Sequence, residues 1–106
     1  MIEFEPRARS FKFEGGDHGA SVSFFITNFA RGQGPKLHRH PYEETFIVQE
    51  GEGTFTVGKE TVAARAGQIV VVPADTPHKF QGAGDDMLSV VSIHPVARMV
   101  QETLEA

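Results

Sequence analysis

Short apolar or alternating runs, cut by glycine and proline at intervals of roughly 8–12 residues, leave little room in this chain for anything but strands. The 11 glycines and 6 prolines fall almost wholly between such runs. Phe11-Lys12-Phe13 alternates and Gly15-Gly16-Asp17 turns it; Val22 to Phe29 carries apolar residues on both faces and should be well covered. Thr45 to Gln49, Thr54 to Val57, Glu60 to Ala63 and Ile69 to Val72 follow, with Gly51-Glu52-Gly53, Gly58-Lys59 and Arg65-Ala66-Gly67 as turns and loops between them. His78-Lys79-Phe80 and Met87 to Ile93 complete a pattern that predicts an all-β sandwich or barrel. Only the tail breaks it. Pro95 suits a first helical position. Val96, Met99, Val100, Thr103 and Leu104 then follow a three-four spacing, which predicts a short amphipathic C-terminal α-helix.

At 106 residues the chain is expected to form one domain, residues 1–106. It has no cysteine, which excludes disulfides, zinc–thiolate knuckles and thiol nucleophiles. That composition suits a reducing compartment. No basic region followed by an apolar run opens the sequence and no segment is long and apolar enough to span a bilayer, so a cytoplasmic location and no membrane partner are expected. A formal charge of -4 argues against nucleic acid, whose phosphates need a basic footprint. Arg7, Arg9 and Lys12 are interleaved with Glu3, Glu5 and Glu14 and read as a solvated strand surface.

The residues with chemistry in them are concentrated in two runs. His38 and His40 are two apart, so on a strand they leave from one face. Glu44 lies within reach of one short turn, and His78 arrives from a distant β-rich segment. Imidazoles and a carboxylate converging from separate strands make a site for a first-row transition metal. Tyr42, the only tyrosine, sits between these residues; rim packing is its expected role, with catalysis as the alternative. Phe46 and Val48, in phase with Glu44, and Phe80, in phase with His78, are the pocket-lining candidates. Glu43 competes with Glu44 for the ligand position; if Glu44 shares the inward face of Phe46 and Val48, Glu43 faces solvent, as should Arg39, which alternates with the two histidines. His18 is expected to be exposed in its turn, and His94, before Pro95, to be a helix-entry residue; neither is expected to bind metal.

The two runs resemble the two motifs of the cupin superfamily. The first motif is glycine, five residues, His-x-His, three or four residues, glutamate, six residues, glycine; Gly32, His38, His40, Glu44 and Gly51 fill it without a gap. Of the second, Gly67, Pro73 and His78 are present, while Asp75 stands where glycine is usual and Gly82 where asparagine is usual. The resemblance implies a small jelly-roll barrel, the double-stranded β-helix. It also implies a divalent transition metal, Fe(II), Mn(II), Ni(II), Zn(II) or Cu(II), on His38, His40, Glu44 and His78. The activity expected first is a metal-dependent, dioxygenase-like reaction on a small chelating organic substrate. A metal-dependent isomerase or lyase and a non-catalytic small-molecule binding module are the alternatives. The motifs do not choose among them. A catechol-, diketone- or hydroxy-acid-like compound fits the expected apolar lining better than a sugar phosphate, for which Lys36 is the only cation expected near the mouth. Residues 4 to 13 form a phenylalanine-rich, edge-like segment, on which a homodimer is expected, as in many cupins that pair through N-terminal strands.

Overall fold

The computed structural model describes residues 1–106 as ten strands in two five-stranded antiparallel sheets. In chain order these are β1 (Ser10–Phe13), β2 (Ser23–Phe29), β3 (His38–Arg39), β4 (Glu44–Glu50) and β5 (Glu52–Val57). Next come β6 (Glu60–Arg65), β7 (Ile69–Val72), β8 (His78–Gly82), β9 (Leu88–His94) and β10 (Glu102–Thr103). One sheet has the order β1-β2-β9-β4-β7 and the other β10-β3-β8-β5-β6, the two-sheet jelly roll expected of the cupin pattern. A single 3-10 turn, Gly15–His18, is the one helical element, and no helix is long and apolar enough to cross a membrane.

Strand periodicity decides what goes inside. Along β4, Glu44, Phe46 and Val48 are buried while Thr45 and Ile47 are only half covered; Glu43, just before, is exposed. Along β8, His78, Phe80 and Gly82 are buried in the same way. Phe46, Phe55 and Phe80 meet at the centre, with Phe55 and Phe80 stacked at 5.2 Å and Phe46 edge-on to Phe80 at 5.0 Å. Phe29, Val48, Ala64, Val72, Leu88 and Val90 close the core around them. The strands at the free edge behave differently. β7 ends its sheet, so Ile69 and Val71 stand 63% and 58% exposed despite the unbroken β-branched run.

Two backbone positions explain the departures from the cupin pattern. Asp75 has φ 61°, the left-handed conformation for which glycine is usual and which aspartate tolerates. At Gly82 a Cβ would lie 2.4 Å from the Ala30 carbonyl oxygen, so the backbones pack too closely there for any side chain.

The C-terminal helix predicted from the three-four spacing does not form. Residues 95–98 bend, and the tail runs on as an extended strap whose β10 pairs Glu102 with Arg39 and Thr103 with His38. The backbone groups a helix would have used are taken by the barrel: Met99 N–H donates to Glu14, Val100 N–H to Tyr42 and Leu104 N–H to the Leu37 carbonyl. Val96, Val100 and Thr103 are β-branched and weak helix formers, and a segment this short has little helical stability of its own. At the other end, β1 pairs with β2 of its own chain; Phe13 stacks on Phe24 of β2 at 4.7 Å, and Phe11 on Phe4 of the segment before β1 at 5.2 Å. The outer edge of β1 is the last of its sheet.

Candidate metal centre

β3 ends in the His38-Arg39 pair, and His38 lies directly opposite His78, the first residue of β8. His40 follows in the turn into β4, which Glu44 opens. His38, His40, Glu44 and His78 are all at most 5% exposed. Their four ligand atoms lie within 4.8 Å of one another. Arg39, between the histidines, points outward onto Glu102 at 3.1 Å.

How the imidazoles are held shows what the cluster is suited to. His38 Nδ1 lies 2.6 Å from the Lys36 carbonyl oxygen, His40 Nδ1 2.8 Å from that of Val100, and His78 Nδ1 2.8 Å from that of Thr76. A carbonyl oxygen only accepts, so each Nδ1 must carry a hydrogen. In a neutral ring that leaves Nε2 as a bare lone pair. His40 and His78 both aim Nε2 at Glu44 Oε1, at 2.8 and 2.9 Å. Two lone pairs and a carboxylate oxygen that close repel unless positive charge lies among them, either as protons or as a cation. Backbone carbonyls that fix ring orientation and tautomer are the outer support found around metal-bound histidines. The donor set thus fits a divalent transition metal of borderline softness.

The electrostatics agree. Burial alone would raise the Glu44 carboxyl, but the protons that His40 and His78 carry on Nε2 when charged, with His94 close by, pull it far below the usual carboxylate range. Burial lowers the His38 imidazole, against its bond to the Lys36 carbonyl. Burial also opposes charge on His40, yet the bonds to Glu44 and to the Val100 carbonyl outweigh it and raise His40 above its ordinary 6.5. Glu44 is therefore held ionised and His38 held neutral, while His40 keeps a proton more tightly than a free imidazole does, and a metal must displace it. Metal affinity should rise with pH until the His40 proton is lost, by at most about tenfold per pH unit for that one proton, and level off above. Competition titrations with a chromophoric chelator over a range of pH measure the slope, and a flat profile contradicts the assignment.

Beside the cluster lies a cavity of about 130 Å³, lined by His38 and Glu44 together with Phe25, Phe29, Phe80 and His94. Of the three pocket residues expected from strand phase, Phe80 lines this cavity. Phe46 and Val48, each 1% exposed, belong to the core beneath it. Their phase with Glu44 is as expected, but the cavity is walled by residues of β2 and β9, and of β4 only Glu44 lines it. No lysine or arginine lines it. Lys36 is exposed and lines a separate surface cleft with Lys79, so it does not reach this cavity.

His94 is the residue that sequence reasoning missed. It is not at a helix entry but ends β9, 1% exposed, with Nε2 3.2 Å from Glu44 Oε2. Val90, Ser92 and His94 are all buried, so the period of two along β9 was the signal that could have found it. Tyr42 does more than pack at the rim: its hydroxyl lies 2.8 Å from His94 Nδ1, and its ring stacks on His40 at 5.1 Å. His18 is exposed in its turn, stacked on Phe13.

Comparison with known proteins agrees with this picture. Residues 25–94 match the family described as Cupin domain. Polyketide synthase CurC of Streptomyces cyaneus is 38% identical over 75 residues, covering 69% of this chain and 49% of that protein. The chain spans about half the length of the curated relatives it matches. Among solved structures, oxalate decarboxylase of Lactobacillus farciminis in its formate complex superposes with a TM-score of 0.82 at 22% identity, over 97% of this chain and 32% of that one. Oxalate decarboxylase of Bacillus subtilis, studied for its Mn(II) centres, gives 0.82 at 21% identity over 97% of this chain and 29% of that one.

Proposed function

The chain belongs to the cupin family, and from that premise we propose that it is a metal-dependent enzyme acting on a small chelating organic molecule. One divalent transition metal would be held by His38, His40, Glu44 and His78. The observation that carries this reading is the set of three Nδ1-to-carbonyl bonds, which turn three Nε2 atoms and one carboxylate toward a common point. When bound, such an ion supplies a Lewis acid and, where it is redox-active, a centre for oxygen chemistry.

The chain's own residues supply the rest. Phe25, Phe29 and Phe80 keep the cavity apolar beside the cluster, and the absence of a cationic side chain in its lining disfavours phosphorylated substrates. Catechol-, diketone- or hydroxy-acid-like compounds meet both conditions, with an oxygen pair for the metal and a body for the phenylalanines. A dioxygenase-like reaction is the first reading. A lyase reading has one specific support: His94, a polar group with proton-transfer chemistry, stands in the cavity wall where Tyr42 had been the only candidate in sequence. The fold shared with the oxalate decarboxylases is compatible with it.

Anaerobic titration of the Fe(II)-loaded protein with acetylacetone, catechol, glycolate and glucose 6-phosphate, followed by absorption, tests the substrate class. Perturbation by one or more of the first three and not by the sugar phosphate is expected. A response to the sugar phosphate alone overturns the preference. Binding of a chelator with no oxygen consumption on aeration and no product moves the assignment to a binding module.

A further inference from the structure

Of all buried side-chain nitrogen and oxygen atoms in the molecule, one lacks an aligned hydrogen-bond partner: Nε2 of His94. It lies 3.2 Å from Glu44 Oε2, close enough for electrostatic attraction but too far off line for a hydrogen bond. An unsatisfied donor on a side chain only 1% exposed is costly, on the order of 1–3 kcal/mol, and calls for an explanation.

The surroundings fix which way this ring is protonated. Val100 N–H donates to the Tyr42 oxygen at 3.2 Å, and the Tyr42 hydroxyl meets His94 Nδ1 at 2.8 Å. The competing acceptor for that hydroxyl, the Val100 carbonyl, is farther away at 3.3 Å. On the other side of the ring, the Glu44 carboxylate can only accept. Both neighbours therefore place the hydrogen on Nε2 and leave Nδ1 to accept from Tyr42, the opposite tautomer to the one the carbonyls impose on His38, His40 and His78. Three rings turn a lone pair to the cluster; the fourth turns an N–H to the same region. Phe25 packs edge-on against His94 at 5.7 Å and helps hold the ring.

His94 lines the cavity that His38 and Glu44 also line. The geometry points to His94 as the hydrogen-bond donor, fixed in place by Tyr42, to an oxygen atom of the small molecule that the cavity takes. This deepens the proposed function and rests on it. The cavity's ligand is then an oxygen chelator one of whose metal-binding oxygens keeps a lone pair for the His94 N–H, and His94 selects for that oxygen over apolar molecules of the same size.

The test uses the full chain loaded with Co(II) and acetohydroxamate as the probe, its binding read from the visible absorption of the cobalt. Co(II) affinity is measured separately by chelator competition, and folding by circular dichroism. His94→Leu should weaken acetohydroxamate by about tenfold, the factor one hydrogen bond supplies, and change Co(II) affinity by less than about threefold. His94→Gln, which retains an N–H at a similar reach, should stay within about threefold of the unaltered protein. Tyr42→Phe keeps the ring but frees it to turn, and should weaken the probe several-fold; it also serves as the decisive variant if His94→Leu does not fold. Unchanged hydroxamate binding in the folded variants overturns the inference. So does a loss of Co(II) affinity matching the loss of hydroxamate, which would make His94 a support for Glu44 instead. Failure of the unaltered chain to bind Co(II) overturns the metal reading itself, and this inference with it.

Discussion

Replacing His40 by alanine is expected to weaken binding of Mn(II) or Co(II) by more than about 100-fold while leaving the barrel folded. Loss of a group that merely supports a ligand typically costs 10–100-fold in metal affinity, so loss of one of four ligands should cost at least the upper part of that range. His40 also faces Glu44 Oε1 and the Val100 carbonyl, and both contacts go with the ring. The fold stands on other residues: the nine buried apolar side chains of the core do not include His40. A stability loss of about 1–3 kcal/mol is expected from the carbonyl left without its donor and from the missing stack on Tyr42, against the 5–15 kcal/mol typical of a domain. Arg39→Ala is the control. It removes an outward-pointing neighbour whose ion pair with Glu102 is largely solvated and should leave metal affinity unchanged. Calorimetric metal titration and urea melts read both properties. Unfolding of His40→Ala at room temperature, or metal affinity within about tenfold of the unaltered chain, would contradict the account.

Phe46→Ala is expected to cost about 3–5 kcal/mol of stability, the range for deleting a buried aromatic ring. Phe46 is 1% exposed and sits between Phe55 at 5.4 Å and Phe80 at 5.0 Å, so its removal opens a void that the two remaining rings cannot close without leaving their own stack. Its ring is also edge-on to His78 at 6.0 Å, which couples core and cluster. Metal affinity should fall as well, through a loosened His78. Ile69→Ala is the matching control on the surface: with a 63% exposed side chain at the sheet edge, it should change stability by no more than about 0.5 kcal/mol. Urea denaturation of the three proteins decides the matter. A cost below about 1 kcal/mol for Phe46→Ala would place the residue in a compliant pocket wall rather than in the core.

What could be read from the chain, and what could not, follows from how local each signal is. His38, His40 and Glu44 fall within seven residues of one another, and strand alternation alone puts His38 and His40 on one face and Glu44 in phase with Phe46 and Val48. His78 was placed by its motif, and its pairing opposite His38 is the long-range consequence. His94 depends on β9 lying beside β4, with Phe46 opposite Ser92 and Thr45 opposite Ile93, a register no local pattern sets. Pro95 after it fits a helix start equally well, so the local sequence does not choose between that and the alternation running through Val90, Ser92 and His94.

The tail failed for a related reason. Its three-four spacing is a true feature of the sequence, but spacing records only which side chains could share a helix face. It does not record the acceptors and donors on Glu14, Leu37, His40 and Tyr42 that draw residues 99–104 out straight. Gly53 departs in the opposite direction: read as part of a turn, it lies inside β5, paired with Gly82 and Ala64, where a Cβ would meet the Leu88 side chain at 2.7 Å. Phe46 and Val48 show the limit of strand phase. Phase says inward or outward, but where along the interior the cavity opens is set by the packing of both sheets.

The central claim, that His38, His40, Glu44 and His78 form one metal site, is tested most directly by elemental analysis of the chain purified without a metal-affinity column. The account predicts about one divalent transition-metal ion per chain, retained through gel filtration at neutral pH and absent from His40→Ala purified in parallel. A folded chain that carries no metal, and takes up none when offered Mn(II), Fe(II), Co(II) and Zn(II) in turn, would contradict it.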